Sequence, residues 1–293
     1  MQKRILNHYL QYGLFSYPGL YESYLKTLPD NPNKLGLLLR VNFIHRTTLD
    51  AGNIGTNFDL KYGDMTKMPW WKQAEDDNLP TSAAMLAEFF RRDSKGLTMN
   101  RKVEDKLVLT CRYVALLMAS ILKSKGVPAR VRSGFASYFE NTTEAWDHWI
   151  TQYWKESEQR WVTLDVDASW HRTGFDMYQI PKGKFDFAPD AWLAVRRDII
   201  AANHFKNAGG FEGLVSIAWA LFHDFHCLMN NEKIYLHHPE MIMLNNFKKL
   251  DNKKLKEIDD LAFMMQNPDE NFDQLSHIWE TKKEYRLLKG ALL

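Results

Sequence analysis

The sequence LTCRYVALLMASILKSKGVPARVRSGFASYF, residues 109–139, contains the clearest helical pattern in the chain. Apolar residues recur in it at the spacing of one helix face: Val114, Leu117, Met118, Ile121 and Leu122. This spacing predicts a helix whose first turn lies near Thr110–Cys111. Gly126 and Pro128 end the helix, because glycine tolerates the left-handed conformation that closes a helix and proline cannot continue one.

Three runs of residues after this helix are rich in valine, isoleucine, threonine and aromatic residues, which favours β-strands. The runs cover residues 129–139, 145–154 and 161–166, and polar turns separate them. We predict three consecutive antiparallel strands. Further helices are predicted after Thr81 and, beyond residue 181, at 191–204, 214–229, 240–249, 253–265 and 271–288.

Cys111 stands at the predicted start of the first of these helices. Unpaired backbone N–H groups and the helix dipole stabilise a thiolate at such a position, and Arg112 adds a positive charge nearby. A cysteine at a helix start is also common as a small buried residue. The residues that accompany Cys111 therefore decide between a nucleophile and a core residue.

His148 and Asp165 lie in two successive predicted strands. His148 precedes Glu156 by as many residues as Asp165 follows Ser157, so a hairpin centred on Glu156–Ser157 places the two side chains directly opposite each other. A carboxylate beside one imidazole nitrogen leaves the other nitrogen free to take the thiol proton. The alternative is a buried His–Asp hydrogen bond that only joins the two strands.

Together these segments resemble the core of the transglutaminase-like superfamily. The resemblance covers about a third of the chain and includes AWDHWITQYW at residues 145–154 and RWVTLDVDA at residues 160–168. The matching elements are residues 122–130, His148 followed by Trp149, and Trp161 before Leu164 and Asp165. Family members often have glycine before the cysteine, where this chain has Leu109 and Thr110.

The resemblance implies an α+β, papain-like transglutaminase core in which the Cys111 helix packs on an antiparallel sheet. It also implies a cysteine enzyme in which Cys111 attacks an amide or acyl carbonyl, His148 is the base and Asp165 orients it. The acyl group then passes from a thioester to water or an amine. The expected substrate is a peptide, a protein or a small amide or acyl compound, and no cofactor is expected.

A non-catalytic binding or scaffold protein that retains this core is the alternative function. Trp146 and Trp161 share the predicted face of His148, so they are candidates for substrate-binding residues, whereas Trp149 is expected to pack inward. The segment FHDFHC, residues 222–227, is interpreted as a buried helix face and not as a metal site, because His226 is offset from His223 and Cys227.

Three regions are predicted within one continuous globular unit. Residues 1–80 form an N-terminal extension packed on the core, 81–180 the transglutaminase-like catalytic core, and 181–293 a helical C-terminal region. A long irregular surface segment is expected from Thr47 to Pro80. Additional helices thus lie at both ends of the core, mainly C-terminal.

The composition favours certain partners and locations over others. A formal net charge of +2 is too balanced for a nucleic-acid-binding surface. No apolar run approaches the length of a membrane span, and two cysteines are too few for a disulfide framework. We therefore expect a cytoplasmic protein with no nucleic-acid or membrane partner.

Overall fold

The computed structural model describes residues 1–47, 69–139, 143–169 and 173–286. These residues form a mixed α+β structure, as predicted from the sequence. Most of the irregular segment predicted between Thr47 and Pro80 lies outside the described residues.

Helices and strands are numbered here in chain order. The helices are α1 (Lys3–Leu10), α2 (Glu22–Thr27), α3 (Pro32–Arg40), α4 (Glu75–Asn78), α5 (Ser82–Arg92), α6 (Cys111–Ser124), α7 (Ala188–Arg196), α8 (Leu214–Leu228), α9 (Leu244–Phe247), α10 (Asn252–Gln266) and α11 (Phe272–Thr281). The strands are β1 (Phe43–His45), β2 (Leu107–Leu109), β3 (Ala129–Ala136), β4 (Ala145–Lys155), β5 (Arg160–Leu164), β6 (Phe185–Phe187) and β7 (Phe205–Lys206).

Helix α6 is the helix predicted from the apolar spacing, and it begins at Cys111. Every residue of α6 is buried, because α2, α3 and α5 pack against it in addition to the face read from the sequence. Gly126 has a φ of 76°, which lets the Val127 N–H donate back to the Leu122 carbonyl at 3.0 Å. The predicted helix end is confirmed.

The three predicted strands are β3, β4 and β5, and they belong to one sheet with the order β5-β4-β3-β6. β3 pairs with β6 antiparallel, and the short β7 pairs with the start of β4 in parallel. A separate two-stranded parallel sheet joins β1 to β2, with Phe43 opposite Leu107. The sequence patterns did not predict this parallel pair.

The β4–β5 hairpin differs from the predicted register. Lys155 pairs with Arg160 and Thr151 with Leu164, so the turn is centred one residue later than expected. The cause is Gln159, which adopts a left-handed φ of 50° and belongs to the turn. The first paired residue of β5 is therefore Arg160. The prediction that His148 lies directly opposite Asp165 is therefore wrong, because the observed register points to Ile150 as the partner of Asp165.

The chain divides into two compact units by its contacts. The first unit contains residues 1–5, 132–149 and 182–293, and the second contains residues 6–131 and 150–181. In the second unit α2, α3 and α5 surround α6, and in the first unit α7 packs against α8 and α10. The division into residues 1–80, 81–180 and 181–293 stays a prediction.

The predicted C-terminal helices agree with the structure in part. Helices α8, α10 and α11 confirm three of them, although α11 ends at Thr281. The prediction for 191–204 is wrong in its second half, because α7 ends at Arg196 and Asp198 adopts a φ of 57°. The prediction for 240–249 reduces to the short α9 and a preceding 3-10 turn.

None of the helices within the described residues has both the length and the apolar character that crossing a bilayer requires.

Candidate active site

Cys111 is the first residue of α6, and the extended backbone of Thr110 leads into it with φ −114° and ψ 177°. The Tyr113 N–H donates to the Thr110 carbonyl at 3.1 Å, which closes the first turn. The Thr110 hydroxyl is buried, does not cap the helix and has no hydrogen-bond partner among the described residues. The uncapped helix start thus favours negative charge where the Cys111 thiol stands.

Arg112 follows Cys111 in the chain and carries a positive charge. Its side chain is fully buried, and Nη1 and Nη2 each donate to the Pro80 carbonyl at 3.1 Å. The guanidinium also lies over the rings of Phe15 and Tyr113. Because an arginine side chain stays charged, the residue that follows Cys111 in the chain holds a permanent positive charge.

Buried charged side chains hold β2, the strand that leads to Cys111. The Glu75 carboxylate accepts from the Val108 N–H at 2.6 Å and pairs with the Arg92 guanidinium. Arg92 and Lys72 each donate to the Lys106 carbonyl at 2.8 Å. These side chains satisfy backbone groups that would otherwise need a strand partner. No pattern in the sequence predicts this network, since Lys72, Glu75 and Arg92 lie in three separate elements.

Burial changes the ionisation of this network. It lowers the pKa of Lys72 to about 8, against the opposing effect of Glu75, and it raises the pKa of Glu75, against the opposing effect of Arg92. A pKa of about 8 leaves the Lys72 ammonium mostly charged at neutral pH.

Asp165 follows the last residue of β5 and is 1% exposed. Its Oδ1 accepts from the Ala168 N–H at 2.9 Å, and its own N–H donates to the Met177 carbonyl at 2.8 Å. The carboxylate thereby closes a turn of residues 165–168. Both the backbone and the side chain of Asp165 are fixed in orientation.

His148 lies in the buried part of β4 and is 2% exposed. The Phe139 ring meets it edge to face, with 5.1 Å between the centroids. The neighbouring Asp147 accepts from Asn207 Nδ2 at 2.9 Å and from the Ala208 N–H at 2.8 Å. This part of β4 is thus anchored within the first unit.

Cys111 and Asp165 belong to the second unit and His148 to the first, and β4 runs from the first into the second unit between Trp149 and Ile150. Alternate residues of a strand point to the same face, so His148 shares a face with Ile150. A turn centred one residue later moves the position opposite Asp165 by two residues, from His148 to Ile150. A shift of two residues leaves the face of each side chain unchanged.

Helix α6, strands β3 to β5 and the three residues predicted for the site lie in one continuous stretch. Residues 101–166 match the family model of the transglutaminase-like superfamily. The transglutaminase-like segment begins before β2 and ends just after Asp165. The chain matches none of the curated proteins or solved structures with which it was compared.

The transglutaminase-like segment also contains Trp146 and Trp161. Trp146 is 36% exposed and lies opposite Lys206 of β7. Trp161 lies opposite Trp154, packs against it and Tyr9, and has the Arg130 guanidinium 4.1 Å from its ring centroid. These contacts favour a packing role for Trp161 within the second unit.

Trp149 of the same segment is buried and packs against the rings of His223 and Tyr235 in the first unit. Its predicted inward orientation is confirmed.

The FHDFHC segment lies outside the transglutaminase-like segment, in α8. Its Asp224 accepts from Arg132 Nε and Nη2, both at 2.8 Å, and its His226 bonds the Tyr285 carbonyl through Nε2 at 2.9 Å. Groups of side chains that could hold a metal ion are absent from the described ranges of the chain. These residues therefore belong to the core of the first unit.

Proposed function

We propose that this protein is a cysteine enzyme with a papain-like transglutaminase core that acts on an amide or acyl substrate through a thioester. Cys111 is the nucleophile, His148 its base and Asp165 the group that orients His148. The observation that carries the proposal is the position of Cys111, which opens a fully buried helix inside the transglutaminase-like segment.

Cys111 supplies the sulfur that attacks the carbonyl carbon, and the thiol proton passes to His148. The helix start and the Arg112 charge lower the free energy of the thiolate relative to the thiol. His148 then returns the proton to the leaving group, so that a thioester remains on Cys111. The backbone N–H of Cys111 is the candidate donor to the developing oxyanion, by analogy with other acyl-transfer sites.

The proposal extends to the substrate, one substrate-binding residue and the cellular location. The substrate is a peptide, a protein or a small amide or acyl compound, and water or an amine accepts the acyl group. Trp146 is the candidate substrate-binding aromatic residue, because its ring is partly exposed two residues before His148. A reducing cytoplasm suits a nucleophilic thiol, and neither Cys111 nor Cys227 forms a disulfide.

The test is acetylation by 4-nitrophenyl acetate, an activated acyl donor that needs no specific recognition. We expect one acetyl group per chain, located on Cys111 by mass spectrometry. His148→Gln and Asp165→Asn should each slow the release of 4-nitrophenolate by about 10²-fold, because the thiol then lacks a correctly held base. Cys227→Ala is the matched control, since Cys227 is fully buried in α8, and its rate should equal that of the wild type.

Equal and slow acetylation of both cysteines would contradict the proposal. So would a His148→Gln rate equal to that of the wild type. Either result would favour the non-catalytic scaffold.

A further inference from the structure

A second imidazole–carboxylate pair lies in the second unit, outside the predicted triad. His45 Nε2 lies 3.5 Å from Asp167 Oδ2, and His45 Nδ1 lies 2.7 Å from Thr47 Oγ1. The side chains of His45 and Asp167 are 18% and 17% exposed. Both side chains are thus partly exposed to solvent, in contrast to the buried Glu75–Arg92 pair, whose side chains are each 4% exposed.

The His45–Asp167 pair is close to Cys111 in the second unit, because β1 ends at His45 and pairs with β2, the strand that precedes Cys111. β1 and β2 pair in parallel with His45 opposite Leu109, and the Arg46 N–H donates to the Leu109 carbonyl at 2.9 Å. Cys111 follows Leu109 by two residues through the extended Thr110. The spacing between strands and the rise along a strand give about 8 Å between the Cα atoms of His45 and Cys111.

The same pair is also close to Asp165. Asp167 is part of the turn that Asp165 closes through the Ala168 N–H. The contact between His45 and Asp167 therefore joins this turn to the end of β1. In the second unit, His45 stands next to β2, which ends two residues before Cys111, and next to the turn that contains Asp165.

We propose that His45 is the acid–base residue for the acyl acceptor and that Asp167 orients its ring. The Thr47 hydroxyl lies at Nδ1 of His45, and the O–H or N–H group of the acceptor takes the same position relative to the ring. This inference rests on the proposed function and assigns a separate histidine to the second half of the reaction. His148 serves the thiol, and His45 serves the water or amine that attacks the thioester.

In the second half of the reaction, one proton passes from the acceptor to His45. The acceptor's O–H or N–H bond breaks, and its proton goes to the His45 imidazole while a bond forms to the thioester carbon. The carbon–sulfur bond then breaks, and its electron pair stays on the sulfur of Cys111. Loss of the proton from His45 to solvent and uptake of one proton by Cys111 and His148 restore the resting enzyme.

The test separates formation of the acyl-enzyme from its breakdown. The chain is acetylated on Cys111 with 4-nitrophenyl acetate and rapidly desalted, and loss of the acetyl group is followed by intact mass spectrometry with methylamine as the acceptor. We expect His45→Gln and Asp167→Asn to acetylate at the wild-type rate but to lose the acetyl group about 10²-fold more slowly. His277→Gln, an exposed control, should match the wild type in both phases.

Hydroxylamine provides the second measurement, because it attacks thioesters without a general base. It should remove the acetyl group from His45→Gln and from the wild type at equal rates. Loss of the acetyl group at the wild-type rate in methylamine would overturn the role of His45 and leave the proposed function intact. Slower acetylation together with a slow hydroxylamine reaction would also overturn it, because the residue would then be structural. A wild-type chain that is never acetylated on Cys111 would overturn both proposals.

Discussion

At the scale of single residues, a buried ion pair links two elements of the first unit that are far apart in the chain. Arg132 of β3 and Asp224 of α8 are 92 residues apart, and Arg132 Nε donates to Asp224 Oδ1 at 2.8 Å.

The Arg132–Asp224 pair allows a prediction on stability. Both side chains are at most 4% exposed, and Asp224 Oδ1 also accepts from the Ser133 N–H at 3.0 Å. Asp224→Ala should lower the free energy of unfolding by about 3–5 kcal/mol, since it leaves a buried guanidinium without its carboxylate. Urea denaturation measures this change.

Asp260→Ala is the control, because it removes an exposed pair with Lys256 and should leave the denaturation midpoint unchanged. A similar midpoint for the two variants would contradict the prediction.

Residue type and local pattern predict Cys111, His148 and Asp165 as candidates, because each lies at the end of a predicted element or along one. They do not predict the pairing of Asp224 with Arg132, because the two residues are 92 apart and each is an ordinary polar residue within its own element. Long-range pairs of this kind leave no periodic signal in one sequence.

At the scale of helices and strands, local sequence patterns predict most elements but not the pairing of strands that are far apart in the chain. The start and end of α6 follow from its apolar spacing and from Gly126. The parallel β1–β2 pair has three residues in each strand, which is too short for a periodic pattern. The hairpin register was missed because nothing in the sequence ESEQ indicates that Gln159 takes the left-handed conformation.

Two glycines next to these elements should respond differently to substitution. A Cβ on Gly134 of β3 would lie 2.2 Å from the Asp186 carbonyl oxygen, whereas a Cβ on Gly126 meets no atom within 4 Å. Gly134→Ala should cost about 2–3 kcal/mol because β3 and β6 must move apart. Gly126→Ala should cost about 1 kcal/mol, which is the strain of its φ.

Asparagine distinguishes the two causes, because it tolerates a positive φ better than alanine does but is larger. Gly126→Asn should therefore be more stable than Gly126→Ala in thermal unfolding, and Gly134→Asn less stable than Gly134→Ala. The opposite order at either position would contradict the assigned cause.

At the scale of the whole molecule, buried ionisable groups make folding dependent on pH. Burial lowers the pKa of His226 to about 2 and that of His238 to about 3, from an ordinary value near 6.5. The folded chain thus keeps both rings neutral under conditions in which the unfolded chain protonates them. The neutral form suits His226, whose Nε2 donates to the Tyr285 carbonyl while Nδ1 accepts from Asn231.

We expect the free energy of unfolding to be independent of these histidines above pH 6.5 and to fall as the pH decreases toward 3. The unfolded state binds more protons in this window, so each histidine contributes a slope of up to about 1.4 kcal/mol per pH unit. Urea denaturation at a series of pH values measures the slope. His226→Gln should reduce it, and the exposed control His277→Gln should not; equal slopes in all three chains would refute this origin.

The parallel pairing of β1 with β2 also affects when, during folding, the residues around Cys111 come together. Phe43 meets Leu107 only after an intervening loop of roughly sixty residues has closed, and closure of such a loop costs chain entropy that local helix formation does not. We therefore expect residues 107–109 to dock late and Cys111 to gain its neighbours with them. Under the proposed function, the nascent chain carries an ordinary cysteine until that moment and acquires the reactive thiol together with the native topology. In refolding experiments, acetylation of Cys111 should appear with the slowest folding phase.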